Sequence, residues 1–218
     1  MLMETVVLKS DDLSYAAEVI LSGGLVAVPT DTVYGLAGNA LDADAVAKIY
    51  DVKNRPPEKA VILLVPGLDV AHKVCAGIPE SAMALAEAFW PGALTLVLPG
   101  RDTVPEIVTA GGSTIGVRCP DHPKTLELLR LTGVPLAAPS ANISGMPSPK
   151  TAEEVLGYFD GRIECIIDGG RCGLGFESTI VDLTVEPFRI VRPGAVPEED
   201  ILHALNVSPA PHPSDHSK

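Results

Sequence analysis

The segment KNRPPEK holds three cations, Lys53, Arg55 and Lys59, within seven residues. Like charges this close repel, so they either lie on a solvated face or gather around an anion. Arginine offers a planar fork to phosphate or carboxylate, and lysine a point charge. Pro56 favours extended backbone before it, which would aim Lys53 and Arg55 the same way. Other polar residues stand where apolar runs end. PTDTVYGL carries Thr30 and Thr32 out of an apolar run beside Gly35, as ligand-orienting hydroxyls or as caps of a strand-to-helix turn. GVRCPDHP closes an apolar run on Arg118, whose burial calls for an anion, either one of the chain's own acids or a ligand. APSANISGMPSP supplies Ser140, Asn142, Ser144 and Ser148; GFESTIVD places Ser178 and Thr179 at a strand start, and RPG leaves Arg192 at a strand end. Polar and basic residues gathered at the ends of apolar strands stand where α/β sheets build their sites.

Several chemistries are excluded. No G-x-S-x-G turn surrounds Ser140 and no His has a claim as its base, so these serines read as hydrogen-bonding groups rather than acyl-transfer nucleophiles. There is no P-loop, and GGRCGLG departs from G-x-G-x-x-G order, which makes it a flexible loop. The four cysteines (Cys75, Cys119, Cys165, Cys172) lack CxxC spacing and a His at ligand distance, so they read as free thiols in a reducing cytosol. Sixteen Lys and Arg against 28 Asp and Glu give a net charge of −12, which argues against a generally basic nucleic-acid coat. A cationic cluster is the more informative against that background. The start, MLMETVVLKSDD, has no basic n-region or long apolar core, and no apolar run approaches the roughly 20 residues of a membrane span. A cytoplasmic, membrane-free protein is expected.

The elements that must position these residues alternate along the chain. Leu13, Ala16, Ala17 and Ile20 share a helical face that Gly23-Gly24 ends; LVAVP follows as a buried strand, and a helix from Asp42 turns Ala45, Val46, Ile49 and Tyr50 inward. VILLVP, ALTLVLP, STIGVRCP and PLAAPS read as strands, with helices at 70–76, 80–90, around Leu126, Leu129 and Arg130, and at 151–159, where Thr151 precedes Glu154 as a capping box. CIIDGG, STIVDLT and FRIVRPG supply the last strands, the latter two an antiparallel pair, and a helix spans 198–205. This pattern predicts an α/β fold, a twisted mixed sheet with flanking helices in one domain over residues 1–207. The Pro-, Ser- and His-rich tail, 208–218, reads as disordered.

In order and separation, PTDTVYGL, KNRP, WPGALTLVL, GVRCPDHP, PSANISG, ESTIVD and RPG resemble the YrdC-like family of threonylcarbamoyl-AMP synthases, from about Gly23 to Gly194. The family's Lys-x-Arg and Ser-x-Asn quartet corresponds to Lys53, Arg55, Ser140 and Asn142. The resemblance implies a YrdC-like domain whose concave sheet face forms one deep pocket. It implies condensation of L-threonine, bicarbonate and ATP, with Mg²⁺, to threonylcarbamoyl-AMP and pyrophosphate. The product would pass to separate tRNA threonylcarbamoyl transferase proteins. By matching motif positions, threonine would be held by Thr32, Arg118, Ala138 and Ser178, with Arg118 on its carboxylate. ATP would meet Arg55, Lys59, Thr114, Ser140, Ser148 and Arg192, with Lys53 and Asn142 completing the quartet.

Two departures stand out. Ala60 and Leu64 occupy positions where many family members carry Pro and His, and the C-terminal domain of longer members is expected to be missing. Two other functions fit the same fold: double-stranded RNA binding through the concave face, or another carbamoyl-type nucleotidyl transfer. An RNA binder should be basic and rich in stacking rings, whereas this chain is acidic, with four Phe, four Tyr and one Trp.

Overall fold

Residues 4–206 are described by a computed structural model, so the tail expected to be disordered lies outside the described residues. In chain order the elements are β1 (Val6–Leu8), α1 (Ser14–Leu21), β2 (Val26–Val28), β3 (Gly35–Asn39), α2 (Ala43–Lys53), β4 (Ile62–Leu64), α3 (Leu68–Val74), α4 (Glu80–Phe89) and β5 (Leu94–Pro99). They continue with α5 (Glu106–Thr109), β6 (Thr114–Arg118), α6 (Pro123–Thr132), β7 (Leu136–Ala137), α7 (Ala152–Phe159), β8 (Cys165–Ile167), β9 (Thr179–Asp182), β10 (Arg189–Arg192) and α8 (Glu198–Ala204). The ten strands form one mixed sheet in the order β1-β8-β2-β3-β7-β4-β6-β5-β9-β10. Its β9–β10 pair is antiparallel, as the short link through Pro187 implied.

Strand periodicity divides the sheet into two faces. On one, Ala27, Leu36, Leu63, Leu96, Val117 and Val181 pack with Val46, Ile49, Leu85, Val155, Phe159 and Ile201 of α2, α4, α7 and α8. On the other, α1 and α6 cover Val26, Val28, Ala37 and Ile167 with Ala16, Ile20, Leu128 and Leu129. That second cover stops short of β6, β5 and β9, so the residues alternating with Val117 and Val181, Arg118 and Ile180, face a cavity. Gly116, opposite Ile62, keeps the cavity floor low: a Cβ there would lie 3.1 Å from Ile62 Cγ2 and 3.3 Å from Thr95 Cγ2.

Several local expectations are corrected. β1 and the short α5 carried no sequence signal that separated them from their surroundings. Gly35–Asn39, read as part of the turn before a helix, is a buried strand, paired through Val26↔Ala37 on one side and Gly38↔Ala137 on the other. With two glycines and no β-branched residue it has little strand propensity, and pairing on both edges overrides that weakness. PLAAPS contributes only the two-residue β7.

The segment around Lys53 is not extended either. Lys53 ends α2, and Asn54 follows in the left-handed region at φ 50°. The Arg55 N–H then donates back to the Tyr50 carbonyl at 2.9 Å, a helix-closing turn. Lys53 and Arg55 therefore reach the same cavity around a helix end, not along a strand. At the start of α2 the Asp42 carboxylate accepts from the Asp44 and Ala45 N–H groups, and in α7 the Thr151 hydroxyl caps Glu154 N–H as expected. All four cysteines are free and buried, and burial pushes the Cys75 and Cys119 thiols up to about 11 and Cys165 to about 12.

Candidate active site

The cavity over β4, β6 and β9 has a volume of about 320 Å³, the size of a small-molecule site. Among the described residues five cations line it, Lys53, Arg55, Lys59, Arg118 and Arg192, against one carboxylate, Glu177. In a chain of net charge −12 this is a strong local reversal of sign.

At one end Arg118, 3% exposed, leaves the last position of β6. Its Nε donates to the Gly92 carbonyl at 2.9 Å, Nη1 to Thr32 Oγ1 at 2.8 Å and Nη2 to Asp31 Oδ1 at 2.5 Å. Of the two sources of an anion left open by the sequence, the chain supplies its own. Thr32 Oγ1 lies 2.9 Å from Thr30 Oγ1, whose hydrogen-bond partners also include the Val33 N–H and carbonyl. Across the cavity, Ser178 Oγ lies 2.8 Å from Thr95 Oγ1 and accepts from Arg192 Nη2 at 3.1 Å. Arg192 also donates from Nε and Nη2 to the Ser178 carbonyl and pairs with Glu177 through Nη1. Gly194 permits this packing, because a Cβ would come within 2.5 Å of the backbone of residues 177–179.

At the other end Lys53, 1% exposed, donates from Nζ to the carbonyls of Ser140 and Asn142, both at 2.5 Å. Burial, reinforced by the Arg55 charge and opposed by Glu177, pushes its pKa down to about 7. Ser140 Oγ donates to Asn142 Oδ1 at 2.6 Å, and Asn142 Nδ2 donates to the Ile143 and Met146 carbonyls, which fixes the side-chain amide. Arg55 donates to the Lys59 and Ala60 carbonyls and stacks on the Tyr50 ring at 5.8 Å, closing its own loop over α2. Burial lowers its pKa, which leaves a guanidinium charged.

Charge compensation is uneven across the cavity. Asp31 neutralises Arg118 and Glu177 neutralises Arg192, while Lys53, Arg55 and Lys59 have no carboxylate partner among the described residues. The hydroxyl-rich end suits a small polar molecule with a carboxylate. The uncompensated end suits a polyanion such as a triphosphate.

The structure brings together Thr32, Lys53, Arg55, Lys59, Arg118, Ala138, Ser140, Asn142, Ser178 and Arg192 as cavity-lining residues. Ser148 stands one contact back, its hydroxyl donating to Glu177 Oε1 at 3.1 Å. Thr114 shares the sheet face of Arg118 but starts β6 four residues earlier, about 13 Å away at strand rise, and does not line the cavity. Leu64 lines the floor with Ile62, opposite Arg118 in register. Sequence reasoning missed Asp31 and Glu177, although both sit inside motifs it used, because an acid beside a threonine or serine carries no signal of its partner. GGRCGLG is fastened rather than free: Leu174 and Gly175 N–H donate to the Asp31 and Thr32 carbonyls, and the Tyr34 hydroxyl donates to the Gly170 carbonyl. Among the described residues no three His, Cys, Asp or Glu side chains gather as a metal site, and no helix is long and apolar enough to cross a membrane.

The family model covering Sua5, YciO and YrdC, described as "Telomere recombination", matches residues 18–194. The chain belongs to the Sua5/YciO/YrdC family. It is 50% identical over 198 residues to the threonylcarbamoyl-AMP synthase of Pyrococcus abyssi, covering 89% of this chain and 58% of that protein. It is 35% identical to the threonylcarbamoyl-AMP synthase of Marinobacter nauticus over 81% of this chain and 94% of that protein. The solved structure of P. abyssi Sua5 complexed with L-threonine superposes with a TM-score of 0.88 at 45% identity, over 94% of this chain and 61% of that one. The chain spans about half the length, 49–58%, of three curated relatives to which it is 41–50% identical. The α/β fold, with its mixed sheet and flanking helices, is that of the Sua5 and YciO structures.

Proposed function

We propose that this chain is a threonylcarbamoyl-AMP synthase, a nucleotidyltransferase converting L-threonine, bicarbonate and ATP into threonylcarbamoyl-AMP, pyrophosphate and water. The uneven charge compensation carries the reading: a neutralised, hydroxyl-rich end for an amino acid and an uncompensated cationic end for a triphosphate, in one cavity. Arg118 and Thr32 receive the threonine carboxylate, with Ser178 and the backbone at Ala138 enclosing the rest of the molecule. Lys53, Arg55 and Lys59 hold phosphoryl oxygens, with Ser140 and Asn142 setting the position of Lys53 through their carbonyls. Arg192, which lines the cavity, adds a further phosphate contact; Ser148 acts through Glu177, and Thr114, outside the lining, is given no contact with the nucleotide.

The threonine nitrogen attacks the carbon of CO₂, released from bicarbonate by loss of its hydroxyl as water, forming a C–N bond and, with loss of the amine proton, a carbamate. A carbamate oxygen then attacks the α-phosphorus, forming a P–O bond as the bond to the β-phosphate oxygen breaks and pyrophosphate leaves. No protein nucleophile is required. Holding the reactants together can supply roughly 7–11 kcal/mol of the barrier, and the cations stabilise charge developing on the phosphoryl oxygens. Mg²⁺ fits as a companion of the triphosphate. Among the described residues Glu177 is the one carboxylate lining the cavity, and Mg²⁺ is commonly held by one or two carboxylates plus substrate phosphates. When bound it would neutralise phosphate charge. The product would be consumed by separate tRNA threonylcarbamoyl transferase proteins in the cytoplasm.

The test is pyrophosphate release from Mg-ATP with and without L-threonine and bicarbonate. The expected result is release that needs both. Release independent of threonine would overturn the assignment of the acceptor, and ATP binding without release under any combination would overturn the reaction.

A further inference from the structure

Asp31 faces away from the site. It lines a separate opening with Asp121 and His122 on the far side of the Thr30–Thr32 turn, and its side chain is 13% exposed. Yet its Oδ1 accepts from Arg118 Nη2 at 2.5 Å and from the Asp121 N–H at 3.1 Å, so the carboxylate is itself located by backbone. Its carbonyl accepts the Leu174 N–H at 2.9 Å, which ties the turn to the Gly-rich loop that leads into Ser178.

Arg118 is thus held through all three of its nitrogens, and three of its five N–H donors are occupied, leaving one on each terminal nitrogen. Two of the three anchors, the Gly92 carbonyl and the Thr32 hydroxyl, are neutral; among the described residues Asp31 alone supplies the countercharge a buried guanidinium requires. Removing that charge leaves Arg118 beside the Arg192 cation, whose charge already opposes its own.

We propose that Asp31 is the positioning residue of the amino-acid subsite, fixing the guanidinium of Arg118 from behind so that its two remaining donors face the cavity before substrate arrives. This rests on the reading of Arg118 as receptor of the amino-acid carboxylate. Asp31 touches no substrate; it balances the charge of Arg118 and holds it in one orientation, so that binding need not order it.

The test compares L-threonine and ATP binding by isothermal titration calorimetry for the full chain and for Asp31→Ala, Asp31→Asn, Arg118→Ala and the Asp31→Ala/Arg118→Ala pair. Loss of one charge-assisted anchor should weaken threonine about 10- to 100-fold in Asp31→Ala. ATP affinity should stay within about twofold. Asp31→Asn, which keeps an oxygen for Nη2 and the Asp121 N–H, should fall between wild type and Asp31→Ala. It also carries the test if Asp31→Ala does not fold. The double variant should bind threonine no worse than Arg118→Ala alone, since Asp31 acts through Arg118. Equal loss of threonine and ATP, or threonine affinity unchanged in both Asp31 variants, would overturn the proposal. Unchanged threonine binding in Arg118→Ala would instead overturn the reading of Arg118, whatever Asp31 does.

Discussion

Replacing Lys53 with methionine separates what this residue does for stability from what it does for substrate. In the folded chain the ammonium is 1% exposed, and burial brings its pKa from an ordinary 10.5 to about 7. Between those two values the unfolded chain holds the proton and the folded chain releases it, so stability rises with pH across that window. Below pH 7 both states are protonated and the folded chain carries the full burial cost. The slope is roughly 1 kcal/mol per pH unit, and a domain of this size shifts its Tm by about 2–4 °C per kcal/mol. Methionine has no charge to bury. Against this, it leaves the Ser140 and Asn142 carbonyls without their donor, a penalty of roughly 1–3 kcal/mol each that does not vary with pH. The difference in Tm, Lys53→Met minus wild type, should therefore be most favourable to the variant below pH 7. It should fall by several degrees on going to pH 9, as measured by differential scanning fluorimetry in parallel buffers. Pyrophosphate release should drop at least 100-fold at pH 6 to 7, where the folded chain keeps the Lys53 ammonium and the variant has no cation facing the phosphates. A Tm difference flat from pH 6 to 9 would refute the burial reasoning; retained turnover would refute the role of Lys53 toward the anion.

Glu177→Gln removes the one carboxylate lining a cavity with five cations, and should tighten metal-free ATP or pyrophosphate binding about two- to fivefold by calorimetry, a modest gain because the Arg192 pair is partly exposed. Weaker binding would show that Arg192 needs Glu177 to hold its pose. Ser178→Ala deletes the partner of Thr95 and one of the two acceptors for Arg192 Nη2, leaving the Ser178 carbonyl, and should raise the threonine KM about tenfold with the ATP KM unchanged. Gly194→Ala forces a Cβ to within 2.5 Å of the backbone of residues 177–179 and should lower stability by about 2 kcal/mol or more in urea titration. A neutral substitution would refute the close approach of the segment after β10 to the backbone of residues 177–179.

Much of the architecture was legible because its signals are local. Apolar runs at periods of two and 3.6 located β2, β4, β5, β6, β8, α1, α2, α4 and α7, and Asp42 and Thr151 marked helix starts that their side chains do cap. β3 was not legible, since Gly35–Asn39 becomes a strand only by pairing with β2 and β7 on either side. The relation of Lys53 to Arg55 was misread for a related reason: the proline rule describes one residue's backbone, whereas the left-handed Asn54 and the end of α2 set the direction of both side chains.

Residue chemistry by itself pointed to a site for anions without a protein nucleophile, and the order of the motifs pointed to the family. Composition and spacing are properties of the chain, and the need of buried cations for anions follows from them. Which cation is free and which is spent was decided only by the tertiary structure. Arg118 and Asp31 are 87 positions apart and Arg192 and Glu177 fifteen, while Lys53 finds carbonyls rather than a carboxylate. Those pairings depend on where β6, β9 and the Thr30–Thr32 turn meet in space. They divide one cationic cavity into a neutralised end and a charged one.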